Sequence, residues 1–287
     1  MDTLVDSGPS PAGAPPGLWL VVTADVIRSR RLAPRGDIQR RIEAALERFK
    51  RLVAGEDEAP GGWQPYLTPG PGAAARARVS FLGSQFTLGR GDELQGVLRG
   101  DAPLLPLLRY LRGLLQPVTL RIGVGLGRLS TPVEVENSWR MDGPAFHRSR
   151  AALESLGHTI LPRTVFRSHD GPAAGRGSGN GGTGSTGCGP ASPHLDPDQR
   201  INTVLALVDE LMRRWTPGQW EAVQTVEEFG TYREAARKLG VAPQNIHKRV
   251  QAAGWWALKP AELLVQLEIH NIITRPAPVR LSSPLWG

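Results

Sequence analysis

The chain has 287 residues, with 34 Lys and Arg against 27 Asp and Glu, a formal charge of +7, and a single cysteine, Cys188. One cysteine excludes an internal disulfide and any zinc site built on cysteines. The apolar run Leu18 to Val22 is far too short to cross a bilayer and follows no signal-peptide pattern, so a soluble cytoplasmic protein is expected, with no membrane partner. The length suits two modest domains. The basic excess is spread along the chain, with 22 Lys and Arg against 16 Asp and Glu in residues 1–167 and 11 against 8 in residues 199–287. Charge alone therefore does not single out a nucleic-acid-binding half.

Residues 1–17, rich in Pro, Gly and Ala, are expected to be disordered. Residues 18–167 then read as strand, helix, hairpin, helix, strand. Leu18 to Ala24 is an apolar strand ending at Asp25. Asp37 to Val53 is an amphipathic helix with Ile38, Ile42, Ala45, Leu46, Phe49 and Val53 on one stripe. A proline-rich loop, Gly55 to Gly72, leads to a hairpin of Ser84 to Gly89 and Glu93 to Leu98 around Arg90-Gly91-Asp92. Leu104 to Leu115 is a second helix, and Val118 to Gly125 a fourth strand alternating Leu120, Ile122 and Val124. The order βαββαβ predicts a ferredoxin-like α+β domain, an antiparallel sheet with two helices on one face.

In that topology the first strand lies beside the third, so Asp25 should meet Asp92 and Glu93 at one end of the sheet. Converging carboxylates repel unless a cation lies between them, and hard oxygen ligands suit Mg²⁺ or Mn²⁺. Nearby Arg28, Arg30, Arg31 and Arg90 could hold phosphates. The same acids read equally well as a turn cap and a hairpin residue. The histidines are scattered, without an H-x₃-H spacing.

Residues 168–198, with the run GRGSGNGGTGSTGCG, read as a flexible linker that cannot pack a core; it lacks the Gly-Lys-Ser/Thr ending of a phosphate loop. Residues 199–275 read as an all-α helix-turn-helix domain, and residues 276–287 as a tail. Gln219 to Phe229 is a helix with Trp220, Val223, Val226 and Phe229 inward. Thr231 and Glu234 are placed for a capping box, Gly240 for the turn, and Pro243 for the first position of the next helix. That last helix turns Ile246 and Val250 inward and leaves Gln244, Asn245, Lys248 and Arg249 outward. Asn and Gln can pair with adenine, Arg with guanine, and Lys with phosphate, so DNA is the expected partner. A small helical bundle that docks on protein is the competing reading. Pro260 to Ile273 places Leu263, Leu264, Leu267 and Ile272 on an apolar stripe that packs or dimerises.

The segments Val22-Thr-Ala-Asp-Val-Ile-Arg-Ser-Arg30, Leu88-Gly-Arg-Gly-Asp-Glu-Leu-Gln-Gly96, Arg121-Ile-Gly-Val-Gly-Leu-Gly127 and Asp142-Gly-Pro-Ala-Phe-His-Arg-Ser-Arg150 together resemble the SatD family of bacterial proteins over residues 18–157. The stretch Trp215 to Trp256 resembles the C-terminal helix-turn-helix that many members carry. More distantly, the layout is similar to the palm of class III nucleotide cyclases and GGDEF-type diguanylate cyclases. That resemblance implies a nucleotide held with Mg²⁺ or Mn²⁺ at Asp25, Asp92 and Glu93, with Arg28, Arg30, Arg148 and Arg150 toward its phosphates. His147 and Ala151 stand where the cyclases have Asn and Arg, Leu94 where they have an aromatic residue, and Ala24 where they have Gly. No catalytic residue is therefore implied.

The expectation is a two-domain transcriptional regulator in which a nucleotide-sensing palm acts on a tethered DNA-binding unit through dimerisation. The alternative is a nucleotidyl cyclase-like or other phosphoryl-transfer enzyme using a two-metal carboxylate site.

Overall fold

The computed structural model describes residues 17–27, 35–60, 63, 80–89, 92–157, 159, 161, 163–170 and 195–274. The expectations for residues 1–16, 64–79, 171–194 and 275–287, and for Arg28, Arg30, Arg31 and Arg90, lie outside the described residues.

Alternation sets the first strand. In β1 (Trp19–Val26), Leu20, Val22, Ala24 and Val26 join the main core, while Val21 joins a smaller cluster with Val97, Met141, Ala145 and Phe146. Successive side chains point to opposite faces, so β1 has an apolar layer on both sides and is central. The other strands are β2 (Leu82–Leu88), β3 (Glu93–Arg99), β4 (Leu120–Gly127) and β5 (Thr164–Arg167). The sheet order is β2-β3-β1-β4-β5. β1 is antiparallel to β3 and β4, β2 is antiparallel to β3, and β5 is parallel to β4.

One face is covered by α1 (Arg35–Ala54) and α2 (Leu104–Leu115). α1 buries Ile42, Ala45, Leu46, Phe49 and Val53 of the stripe expected from its period, and Leu52 beside them. α2 is buried on nearly every side, Arg109 and Arg112 included. The opposite face carries α3 (Pro144–Ser155), so the helices are not confined to one face. α3 approaches closely because β4 places Gly123 and Gly125 beneath it. A Cβ there would sit 2.2 and 2.1 Å from the carbonyl oxygens of Ser149 and Ala145. Thr23 of β1 and Ser149 of α3 share a buried hydrogen bond of 2.9 Å.

The C-terminal helices are α4 (Pro197–Arg213), α5 (Pro217–Phe229), α6 (Tyr232–Leu239), α7 (Pro243–Ala252) and α8 (Trp255–Thr274). β5 and α4 were not among the elements expected from the sequence. Among the described residues, reciprocal capping boxes form at the starts of α4 (Asp196–Gln199) and α5 (Thr216–Gln219). At α6 only half of the expected box forms. Thr231 Oγ1 accepts from the Glu234 amide, but the Glu234 carboxylate accepts from the Thr231 hydroxyl instead of its backbone N–H. Gly240 closes α6 at φ 64°, a left-handed turn that favours glycine.

The sheet body and the C-terminal helices pack against one another. α4 lies on β5, and α5 and α8 lie on α2, so one continuous core runs from the sheet into the helical unit. The described ends of the expected linker also meet: Ser168 donates to Asp198 through its amide at 2.8 Å and its hydroxyl at 2.6 Å.

Candidate functional site

The sheet end holds the acids singled out from the sequence. Asp25 stands between Glu93 on β3 and Arg121 on β4, and Asp92 follows at the hairpin, its carbonyl accepting from the Val26 amide at 3.2 Å. Each of two acids has an arginine partner. Arg121 donates to the Asp25 carboxylate and to the Gly157 carbonyl, and Arg150 reaches Glu93 at 3.4 Å. Opposite charges on neighbouring strands relieve the repulsion that three carboxylates would otherwise suffer. Arg148 is held elsewhere, by both oxygens of Asp170 at 2.9 and 3.1 Å and by the Leu126 carbonyl at 2.8 Å. Its hydrogen bonds keep the exposed Asp170 carboxyl below the usual carboxylate range.

Among the described residues, no group of three or more His, Cys, Asp or Glu is arranged to hold a metal ion. Asp25 and Glu93 are each already paired with an arginine. Both would have to release these cations before ligating one of their own.

The second candidate surface is α7. Ile246 and Val250 are fully buried, pinning the helix to α5 and α6, while Gln244, Asn245 and Lys248 are exposed. Arg249 is half-buried and lies 3.6 Å from Glu221 of α5, so it is less free than the other three. Trp220, Val223 and Val226 of α5 face the core, whereas Phe229 is only half-buried. Trp255 caps the helical core and Trp256 remains exposed.

Sequence reasoning missed a third set of residues, which joins the two halves. Arg109 of α2 is fully enclosed. It donates to both Glu227 oxygens, with Nη2 at 2.8 Å, and through Nε to Glu262 of α8 at 2.7 Å. Lys259 adds a contact to Glu227 at 3.0 Å. Burial alone would lower the arginine pKa, but Glu227 and Glu262 outweigh it and raise it. One turn on, Arg112 donates to Asp209 of α4 at 2.6 Å and to Thr164 of β5 at 2.9 Å.

α4 also completes the sheet edge. β5 leaves backbone groups without a strand partner, and side chains on one face of α4 supply them. Asp209 accepts from the Thr164 amide, and Asn202 accepts from the Phe166 amide at 2.7 Å and donates to its carbonyl at 2.9 Å. A cavity of about 390 Å³ remains between α2 and α5–α6, bordered by Tyr110, Trp220, Gln224, Lys238 and the Arg48–Glu228 ion pair. The signal for this junction was present in α2. Two arginines in an otherwise apolar helix require buried partners.

The class defined so far is a mixed α+β protein: a five-stranded sheet covered on both faces and fused to a C-terminal helical unit. Residues 77–159 match the SatD family, and over that span the chain is SatD-like. The matched span runs from the approach to β2 through α3. It contains Glu93, Arg121 and Arg150, and reaches neither β1 nor the C-terminal helices. A search of the curated proteins finds no match. Among the described residues, no helix is long and apolar enough to cross a membrane.

Proposed function

We propose that this chain is a DNA-binding transcriptional regulator of SatD type, with α5, α6 and α7 as a helix-turn-helix and α7 as its recognition helix. The observation that carries the reading is α7 itself. A proline opens it, Ile246 and Val250 anchor it, and Gln244, Asn245 and Lys248 stand in solvent on its outer side. A helix so held can enter a major groove with its donors and acceptors toward base edges. In this reading the sheet body is a ferredoxin-like palm. The order β2-β3-β1-β4 with antiparallel neighbours supports that, and β5 is an added edge strand.

Nucleotide sensing enters the proposal in a restricted form. A nucleotide would have to draw Arg121 or Arg150 away from its carboxylate. A melting temperature that rises with a nucleoside triphosphate and Mn²⁺ in the wild type, but not in Asp25→Asn, would restore the sensing palm. Product formation in the same mixture would favour the phosphoryl-transfer alternative.

Genome-wide recovery of bound DNA identifies the operator. On that site, Lys248→Ala should weaken binding evenly across sequences and reduce the salt slope by about 1, while Asn245→Ala should relax base preference at a cost of about 1–3 kcal/mol. Affinity and slope unchanged in both variants would refute the assignment.

A further inference from the structure

We propose that the cavity between α2 and the α5–α6 pair binds a small organic anion, a flat aromatic body carrying one carboxylate. The inference rests on the DNA-binding reading only for its use, as an effector site. The site itself is defined by its walls.

The cavity measures about 390 Å³, within the ~300–1,000 Å³ of small-molecule sites. Its apolar walls come from both halves of the chain: Tyr110 and Leu114 from α2, Trp220 and Phe229 from α5, and Leu239 from α6. Trp220 and Tyr110 are buried, and each ring is held by another. Trp215 meets Trp220 edge-on at 4.7 Å, and Trp63 meets Tyr110 edge-on at 5.8 Å. The spacing between the walls is braced as well. Arg109 of α2 holds Glu227 of α5, Arg48 of α1 lies 3.2 Å from Glu228, and Gln224 reaches the Tyr110 carbonyl at 3.4 Å. The slot is therefore preformed, and it suits a flat, rigid ligand that gives up little freedom on entering.

Charge decides the polar end of the ligand. Four charged side chains border the cavity: Arg48, Lys238, Glu221 and Glu228. Arg48 and Glu228 neutralise each other, and Glu221 lies 3.6 Å from Arg249. Lys238 has no ion-pair or hydrogen-bond partner among the described residues. One unpaired ammonium matches one negative charge. A polyphosphate would bring further charge against Glu221 and Glu228, which selects against nucleotides here. Lys238 also stands in the last turn of α6, just before the Gly240 turn that leads into α7. A ligand seated on α2 and tied to Lys238 would hold the recognition unit against the sheet body, and so bias how α7 meets DNA.

The test is isothermal titration calorimetry on the full chain with benzoate, indole-3-carboxylate and naphthalene-2-carboxylate, each beside its uncharged carboxamide. At least one carboxylate should bind the wild type with a single site per chain. Lys238→Gln should weaken that carboxylate about tenfold and leave its carboxamide unchanged, because it removes one exposed charge-assisted contact. Leu114→Trp fills the slot from a half-buried position and should abolish both, with far-UV circular dichroism unchanged. If that variant loses its helices, Lys238→Gln, altered at an exposed position, still decides the question. Failure of all three carboxylates to bind the wild type overturns the proposal, and so does binding that Lys238→Gln leaves untouched. Saturating carboxylate should shift the affinity for operator DNA about fivefold or more, and an unshifted affinity would strike the effector role. Carboxylate binding by a chain that binds no DNA would leave this site standing and remove the DNA reading; DNA binding by a chain that takes none of the carboxylates would do the reverse.

Discussion

Arg109 shows how a single side chain can decide architecture. A buried guanidinium is tolerated only when its donors meet acceptors, and here Glu227 and Glu262 come from two helices far along the chain. Arg109→Met removes the guanidinium from two buried carboxylates, and stability should fall by about 3–5 kcal/mol in chemical denaturation. Glu227 predicts a pH dependence. Burial pushes its pKa up, but Arg109 and Lys259 pull it further down, for a net depression. A depressed carboxylate contributes stability that is present above its unfolded pKa, about 4.3, and lost as pH falls through the folded value. Asp209 runs the other way. Burial outweighs Arg112 and raises its pKa, so its contribution is full in acid and lost as pH rises through the folded value. Comparing denaturation midpoints of wild type and Glu227→Gln from neutral pH to pH ~3 isolates the first effect. Wild type should lose stability steeply in acid, and the variant, weaker at neutral pH, should show a shallower loss.

Among the elements, α3 depends on glycine in the strand beneath it. Gly125→Ala places a methyl group 2.1 Å from the Ala145 carbonyl oxygen, so α3 must lift off β4. Overpacking of this kind should cost about 1–3 kcal/mol, read as a lower melting temperature. Periodicity made α1, β1, β3 and α5 to α7 legible, because each has a clear apolar face or turn signal. It missed β5, a four-residue strand whose edge is satisfied by side chains of α4. It placed α2 as a helix on the sheet without naming what covers its other side. Its run Leu-Leu-Pro-Leu-Leu-Arg-Tyr-Leu-Arg-Gly-Leu-Leu is apolar all round, the mark of a helix covered on both sides.

Across the whole molecule, that sandwiched helix changes the expected coupling. A tethered unit could act on the sheet body only through local concentration. Here α2 reaches β5 through Arg112 and Thr164 and packs on α5 and α8, so displacement of the sheet body would move the helical unit with it. Calorimetry should therefore show one cooperative transition for the described core instead of two. Near-ultraviolet signals from Trp63 in the sheet body and Trp220 and Trp255 in the helical unit should be lost together, since all three are buried in the same core. Two separated transitions would reinstate independent domains.

By itself, the sequence determined the chemistry available and most of the local elements. It placed the acids at Asp25, Asp92 and Glu93, and set the polar side of α7 at Gln244, Asn245 and Lys248. Both follow from short-range rules of period, capping and strand order. The tertiary structure alone decided the partners. It gave Asp25 to Arg121 and Glu93 to Arg150, joined Arg109 to Glu227 and Glu262, and left Leu263 and Leu267 outside. Such pairings depend on which surfaces meet in three dimensions, and neither charge nor period along a chain carries that information.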